Sequence, residues 1–424
     1  MKQTAKKLII KRLTRKLRTL LEQNKLTIIA VTGTVGKTST KVAIAQVLEV
    51  AGYKVGYTED SYNSDIGLPL SVFGLKVPDR LGDVRSWRAI FRKIDAQIAD
   101  FPYDTLVLEV AEDDLRLMKP FVELIKPSIG VVTGVSLAHT VRMGDLGKII
   151  HDLKELMRPI PKLICNTDFS ELGSGFKSVA TYATTQPADV SLTGTTRTRS
   201  GKLTVKISIH GETHEVKTRL VGRHSLSALL AASAVAHELG IESATVVRTL
   251  AQISAVKGRM NLLPGVHESI LIDDSYNAAS PVGVFAALDT LAEMKGRRVA
   301  VLGNMNELGA KSEDAHREVG AAAAKVADLV VVIGPDAEKY LAPAAIEAGM
   351  DRSQVKVFHT PYEAGHYLKK KVTKGDVVLV KGSQNKVFAE EVSRILLDPK
   401  LKPADVLVRQ SDFWKRKKKR AFAQ

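Results

Sequence analysis

The chain has 424 residues, 45% of them hydrophobic, enough for two or three domains with substantial cores and no sign of global disorder. No apolar run reaches the ~18–20 residues that span a bilayer. The basic N-terminus lacks the apolar core and cleavage site of a secretory signal. The single cysteine, Cys165, excludes a disulfide within one chain and fits a reducing cytoplasm. The net charge is +16, yet residues 1–25 hold nine Lys/Arg against one Glu and residues 409–424 hold seven against one Asp. The ends therefore carry most of the surplus, and the near-neutral body argues against a broad nucleic-acid groove.

The first segment reads as a helix. Ile10, Leu13, Leu17, Leu20 and Leu21 recur at helical spacing, with Lys7, Lys11, Arg12, Arg15 and Lys16 mostly off that stripe. It reads as leucines packed on the body beneath a solvated basic face, as an interfacial helix drawn to anionic lipid, or as a nucleic-acid-binding helix. From residue 26 strand-like and helix-like runs alternate. LTIIAVTG precedes a helical segment at 37–51 closed by Gly52. DTLVLEVA (104–111), SIGVVTGV (128–135) and KLICNTD (162–168) are short β-rich runs between helical stretches, which indicates a parallel α/β sheet. Residues 186–221 alternate polar and apolar around turn glycines and read as antiparallel strands, followed by an Ala/Leu-rich helix at 225–239. A second α/β block begins near residue 261, with strands SILIDDS (269–275), RRVAVLG (297–303), DLVVVIG (328–334), VKVFH (355–359) and DVVLVKGS (376–383). The linker falls around 256–264. The chain closes on FWKRKKKRAFAQ (413–424), read either as a disordered solubilising end or as an anchor at lipid headgroups or RNA.

The stretch VTGTVGKTST (31–40) joins the first strand to the first helix of the α/β block. Gly33 and Gly36 permit a backbone whose amides converge on phosphate oxygens. The helix beginning near Lys37 adds its positive end. Lys37 supplies a point charge for the outer phosphates of a triphosphate, and Thr38 a hydroxyl for Mg²⁺. The loop is shorter than G-x-x-x-x-G-K-[ST], so its setting between strand and helix carries the reading. Metal ligands belong at the carboxyl ends of neighbouring strands. Glu109 ends one, where a carboxylate after an apolar run needs a partner. His139 follows another.

These residues stand in a longer order: YNSDIGLPLS (62–71), Glu109, AH (138–139), NTD (166–168), GRHSLSALLAA (222–232), GRM (258–260), DDSYNA (273–278), VLGNMNELG (301–309) and GDVVLVKGS (375–383). The set closely resembles the Mur ligase family, most of all its MurF type, over roughly residues 26–410. The resemblance implies a central P-loop-type parallel-sheet domain with a small antiparallel β section, followed by a Rossmann-like α/β C-terminal domain. The corresponding boundaries are a basic helix at 1–25, an ATP-binding domain at 26–257, a C-terminal domain at 258–410 and a basic tail at 411–424.

The resemblance implies a reaction as well: ATP phosphorylates a carboxylate, and an amine displaces the phosphate to form an amide. It implies that Gly33, Thr34, Gly36, Lys37, Thr38 and Ser39 hold the phosphates, and that Thr38, Glu109 and His139 hold Mg²⁺. Arg259 reaches the phosphates from the linker, Asp274 binds ribose, and Tyr276, Asn277 and Ser227 lie beside the nucleoside. Lys381 and Ser383 face the amine, a dipeptide such as D-alanyl-D-alanine, while the donor is a muropeptide-like carboxylate. The location implied is the cytoplasm, with peripheral contact at the membrane's inner face through the basic ends.

Several positions depart from the family pattern. The phosphate loop starts at residue 33, leaving only a basic helix where the family carries a UDP-sugar-binding domain, so a different carboxylate donor is an alternative. The family's carbamylated lysine aligns with Leu153, and Lys154, the candidate catalytic lysine, lies one residue late. One residue is about 100° around a helix, so either the helix shifts or the modified lysine is absent. Asn304 stands for an aspartate, Ser227 for an asparagine, Gln384 for an arginine and Gly134 for an asparagine. A non-catalytic ATP-binding, membrane-associated partner is the further alternative.

Overall fold

The computed structural model describes residues 3–58, 64–78, 81–110, 115–135, 146–169, 176, 179–197, 203–278, 280–306, 308–384 and 386–422. Two sheets divide the chain. The first comprises β1 (Thr27–Thr32), β2 (Val55–Gly56), β3 (Thr105–Glu109), β4 (Ile129–Val132), β5 (Lys162–Asn166), β6 (Ala180–Ala183), β7 (Val190–Arg197), β8 (Leu203–Ile209) and β9 (Glu212–Thr218). Their spatial order is β2-β3-β1-β4-β5-β6-β7-β8-β9. Pairing is parallel through β6–β7 and antiparallel for β7–β8 and β8–β9. The antiparallel section extends the same sheet. Its last hairpin turns at His210 and Gly211, both at positive φ, the geometry a two-residue hairpin turn requires.

Both faces of the parallel part of the first sheet are covered, which explains its apolar strands. In β1 the alternate residues Ile29 and Val31 pack with Ala43, Ile44 and Val47 of the helix Lys37–Val50. Ile28 and Ala30 pack on the other face with Leu13, Leu17, Leu20 and Trp87. Those three leucines belong to the helix Gln3–Gln23 and are fully buried, at about 1.5–3 kcal/mol each. Of the readings of the N-terminal segment, packing on the body is the one the structure contains. The cations Lys7, Lys11, Arg12, Arg15 and Arg18 stay exposed.

The second sheet comprises β10 (Asn261–Pro264), β11 (Ile270–Asp274), β12 (Arg298–Gly303), β13 (Leu329–Ile333), β14 (Val355–Phe358) and β15 (Val377–Lys381), in the order β10-β11-β15-β12-β13-β14. All its pairs are parallel except β10–β11. Alternation again serves two faces: Ala300 and Leu302 enter one core cluster, Val299 and Val301 the other.

The end of the chain differs from the expectation of a disordered tail. Residues Asp412–Phe422 form a helix. Its Lys418 is 1% exposed and bonds Glu391 Oε1 at 2.7 Å, Glu390 Oε1 at 2.9 Å and the Arg409 carbonyl at 2.8 Å. Trp414 and Phe422 pack edge-on to Phe388. A run of six cations reads as solvated because sequence does not reveal that two buried glutamates need one of them. Among the described residues no helix is long and apolar enough to cross a membrane.

In the first sheet β1 has β3 on one side and β4 on the other. The chain thus winds outward in both directions from β1, and crevices for ligands open at the carboxyl ends of strands where winding reverses.

Candidate active site

The loop after β1 is shaped by close contact with β4. Gly33 has φ +127°, and a Cβ there would lie 2.4 Å from Thr133 Oγ1 and 2.8 Å from the Gly134 carbonyl, so no larger residue fits. The Thr34 amide donates to that carbonyl at 2.8 Å. Thr133 Oγ1 contacts the carbonyls of Thr32 at 2.9 Å and Val35 at 2.6 Å, fixing both ends of the turn. Gly36, at φ +79°, opens the helix Lys37–Val50 without a side-chain cap. A helix start of this kind presents amides and a positive end to an anion. Lys37 Nζ bonds the Gly33 carbonyl and so lies across the loop.

The carboxyl end of β3 lies beside this loop. Thr38 Oγ1 donates to Glu109 Oε2 at 3.0 Å, and Lys41 Nζ reaches the same oxygen at 3.2 Å. The Lys41 and Glu109 side chains are 1% and 5% exposed. The structure therefore brings together the expected phosphate lysine, hydroxyl and carboxylate. Sequence reasoning missed Lys41. The available signal was its position one helical turn after Lys37, at the start of the apolar run 42–45.

Two further residues close the edge. Asn166 Nδ2, at the end of β5, donates to the Thr133 carbonyl at 2.8 Å and lies 3.2 Å from Ser227 Oγ. Ser227, near the start of the helix Arg223–Glu238, is thus joined to the β4 end of the loop through one side chain. Asp168 accepts the amide and hydroxyl of both Thr184 and Thr185, each at 2.7 Å. Partial burial alone would raise its carboxyl, but these four donors hold it below the ordinary value. Cys165, buried in β5, has its thiol pushed by burial to about 12 and is inert as a nucleophile. His139 lies outside the described residues.

The helix Leu146–Met157 buries Leu153 completely and leaves Lys154 exposed. Glu155 faces Lys119 at 3.2 Å and Arg158 at 3.3 Å. The helix has not rotated to recover the late lysine, because rotation would pull Leu153 out of the core.

The second sheet carries its own polar edge. Asp274, ending β11, meets Lys381, ending β15, at 2.5 Å, each side chain 6% exposed. Lys381 also bonds the Asn277 carbonyl at 3.1 Å, and Ser383 Oγ bonds the Ala278 carbonyl at 2.8 Å. The two residues expected on the amine side are thus tied to the segment expected beside the nucleotide. Asp274 Oδ1 accepts the Met260 amide at 3.2 Å. The Arg259 guanidinium lies 4.4 Å from the centre of the Tyr276 ring. Asn304 Oδ1 accepts the Ala337 amide at 2.9 Å. His316 accepts the Met305 amide at Nε2, 3.0 Å, and burial lowers its pKa, so the imidazole is a neutral brace for this loop.

A model of the Mur ligase middle domain matches residues 31–79 and 91–236, and one of the Mur ligase glutamate ligase domain matches 258–384. The chain is 30% identical over 391 residues to a UDP-N-acetylmuramoyl-tripeptide–D-alanyl-D-alanine ligase of Mycobacterium bovis, covering 84% of this chain and 70% of that protein. The chain belongs to the Mur ligase family. The enzyme of that name from Escherichia coli is 29% identical over 325 residues, 72% of this Mur ligase and 64% of the relative, so the chain spans less than two thirds of that protein's length. Among solved structures, a MurF ligase from Thermotoga maritima in complex with ADP shares the fold, with TM-score 0.74 and 22% identity over 91% of this chain and 84% of that one.

Proposed function

We propose that this Mur ligase is an ATP-dependent carboxylate–amine ligase of cell-wall precursor assembly, joining an amine such as D-alanyl-D-alanine to a muropeptide-like carboxylate. The observation that carries the reading is the glycine-gated loop of β1, which gathers Lys37, Thr38 and Glu109 at one edge. A second lobe with its own polar edge, at Asp274 and Lys381, supports it.

In the proposed reaction a donor carboxylate oxygen attacks the γ-phosphorus of ATP and ADP leaves. The amine nitrogen then attacks the acyl carbon, phosphate departs with the bonding pair, and the nitrogen loses a proton. Catalysis of this kind is mainly positioning and charge neutralisation. Lys37 and the loop of Gly33, Thr34, Gly36 and Ser39 hold the outer phosphates. Arg259 reaches them from the linker. Asp274 takes the ribose, Tyr276, Asn277 and Ser227 line the nucleoside, and Lys381 and Ser383 serve the amine side.

Thr38 Oγ1 and the Glu109 carboxylate are oxygen donors 3.0 Å apart, a set that suits a hard divalent cation. They would hold Mg²⁺ with His139, and the ion would neutralise charge on the transferring group. The test is incubation with ATP, Mg²⁺ and carboxylate–amine pairs, scoring ADP and amide. No ADP with any pair, in protein that still binds nucleotide, removes the enzyme reading.

Buried Leu153, in the place of the family's lysine, favours a second reading, a non-catalytic ATP-binding partner. Nucleotide binding with no ADP release from any carboxylate–amine pair separates it from the first. The proposed location is cytoplasmic, with the exposed cations of the helix Gln3–Gln23 resting on anionic lipid. Co-sedimentation with anionic vesicles that survives reversal of Lys7, Lys11 and Arg15 would exclude that contact.

A further inference from the structure

The segment before the C-terminal helix crosses the linker between the lobes. Lys257 Nζ donates to the Ala404 carbonyl at 3.1 Å, and Asn261 Nδ2 to the Val406 carbonyl at 3.3 Å. Gly258, at φ +70°, has a backbone that L side chains rarely adopt, and a Cβ there would press on Tyr276 Cβ at 3.0 Å and Val408 at 3.2 Å. The strap then reaches Arg409, held at φ +55°, a conformation that non-glycine residues rarely adopt.

The Arg409 guanidinium is buried and fully engaged. It forks onto Glu390 at 2.9 and 3.0 Å. Its remaining hydrogens go to backbone carbonyls, Ser275 at 3.0 Å, Gln384 at 3.2 Å and Tyr276 at 3.5 Å. It also lies 5.5 Å from the Tyr276 ring, which Arg259 contacts as well. Lys418 holds the arrangement from behind by bonding Glu390 and the Arg409 carbonyl. A planar five-donor fork can bridge a carboxylate and several carbonyls at once, which a lysine cannot.

We propose that Arg409 is a positioning residue. It fixes the backbone of residues 275–277 against the interlobe linker, so that Tyr276 and Asn277 are held ready for the nucleotide. This rests on the nucleotide reading of that segment. Sequence reasoning counted the arginine only among the basic residues near the chain's end and gave it no role.

The test uses the full chain and two variants. Arg409→Lys keeps a cation beside Glu390 but loses the fork. The double variant Glu390→Gln with Arg409→Gln removes both charges and so leaves no unpaired buried ion. Circular dichroism checks that each is folded. Titration calorimetry with ADP and Mg²⁺ reads binding, and hydrogen exchange reads the Tyr276 amide, which donates to the Gly258 carbonyl at 3.0 Å.

In both folded variants ADP binding weakens by about tenfold, as expected for lost charge-assisted bonds, and exchange at 275–277 accelerates. ADP affinity and exchange within about twofold of wild type in either folded variant overturn the proposal. A wild-type chain that binds no ADP overturns the nucleotide reading, and with it the functional half of this inference.

Discussion

The carboxyl edges of the two sheets carry the same pair of groups in different settings. Glu109 meets Lys41 at 3.2 Å, Asp274 meets Lys381 at 2.5 Å, and none of the four side chains is more than 6% exposed. Lys41 comes from the helix behind the phosphate loop and shares its carboxylate with Thr38. Lys381 comes from the neighbouring strand, in register with Asp274. The first pair is therefore part of a loop shaped for an anion, and its carboxylate already has a second oxygen beside it. The second pair belongs to the sheet and also anchors the backbone at Asn277. A buried acid at a strand end suits a metal ion or a ribose according to what else shares its oxygens.

The sharpest way to break this comparison is at the loop. Lys37→Ala should lower ATP-dependent ADP release by about 10³-fold, the scale of losing one electrostatic donor to a transferring group. Circular dichroism should show the protein folded, so that the loss is read as catalysis. Release within tenfold of wild type would sink the phosphate reading of the first edge.

Next in size are the two lysines themselves. Lys41→Met and Lys381→Met each remove the cation bonded to a buried carboxylate, a loss of about 3–5 kcal/mol by urea unfolding. The two should then diverge. Mg²⁺ should raise the melting temperature of the Lys41 variant more than that of wild type, because a divalent cation beside Thr38 replaces the missing charge. It should leave the Lys381 variant unchanged. An equal Mg²⁺ response in both would make the two edges equivalent and remove the metal assignment from Glu109.

The parts of this architecture that the sequence discloses are those set by local chemistry. Continuous apolar strands announce the parallel sheet, and Gly33, Gly36 and Lys37 announce the loop, because backbone geometry and charge at those positions have few alternatives. The hidden parts depend on distant partners. Lys41 and Glu109 are 68 residues apart, and Arg409 finds Ser275 across 134. The same limit explains the tail: Lys418 belongs to a run of cations and is told apart only by the glutamates at 390 and 391. Lys154 shows the converse, a residue with the right chemistry whose place was decided by Leu153 entering the core.

The smallest expected effect concerns the residue next to Asp274. Asp273 turns to the opposite face of β11, where Ser393 Oγ donates to it at 2.7 Å, and no lysine or arginine among its described partners neutralises it. Burial pushes its carboxyl up to about 6, with Glu390 and Asp274 adding to the rise and serine hydroxyls partly offsetting it. The unfolded chain has the ordinary value of 3.8. Between these values the native state binds more protons than the unfolded state, so this group makes stability fall as pH rises from about 4 to about 6. Two units correspond to about 3 kcal/mol at most, reached above pH 6. Asp273→Asn should therefore raise stability at neutral pH by about 1–2 kcal/mol, leaving room for imperfect amide bonding, and should flatten urea midpoints between pH 4 and 6. An unchanged pH slope would mean that Asp273 is neutralised in the native state after all, and the contrast with its lysine-paired neighbour would vanish.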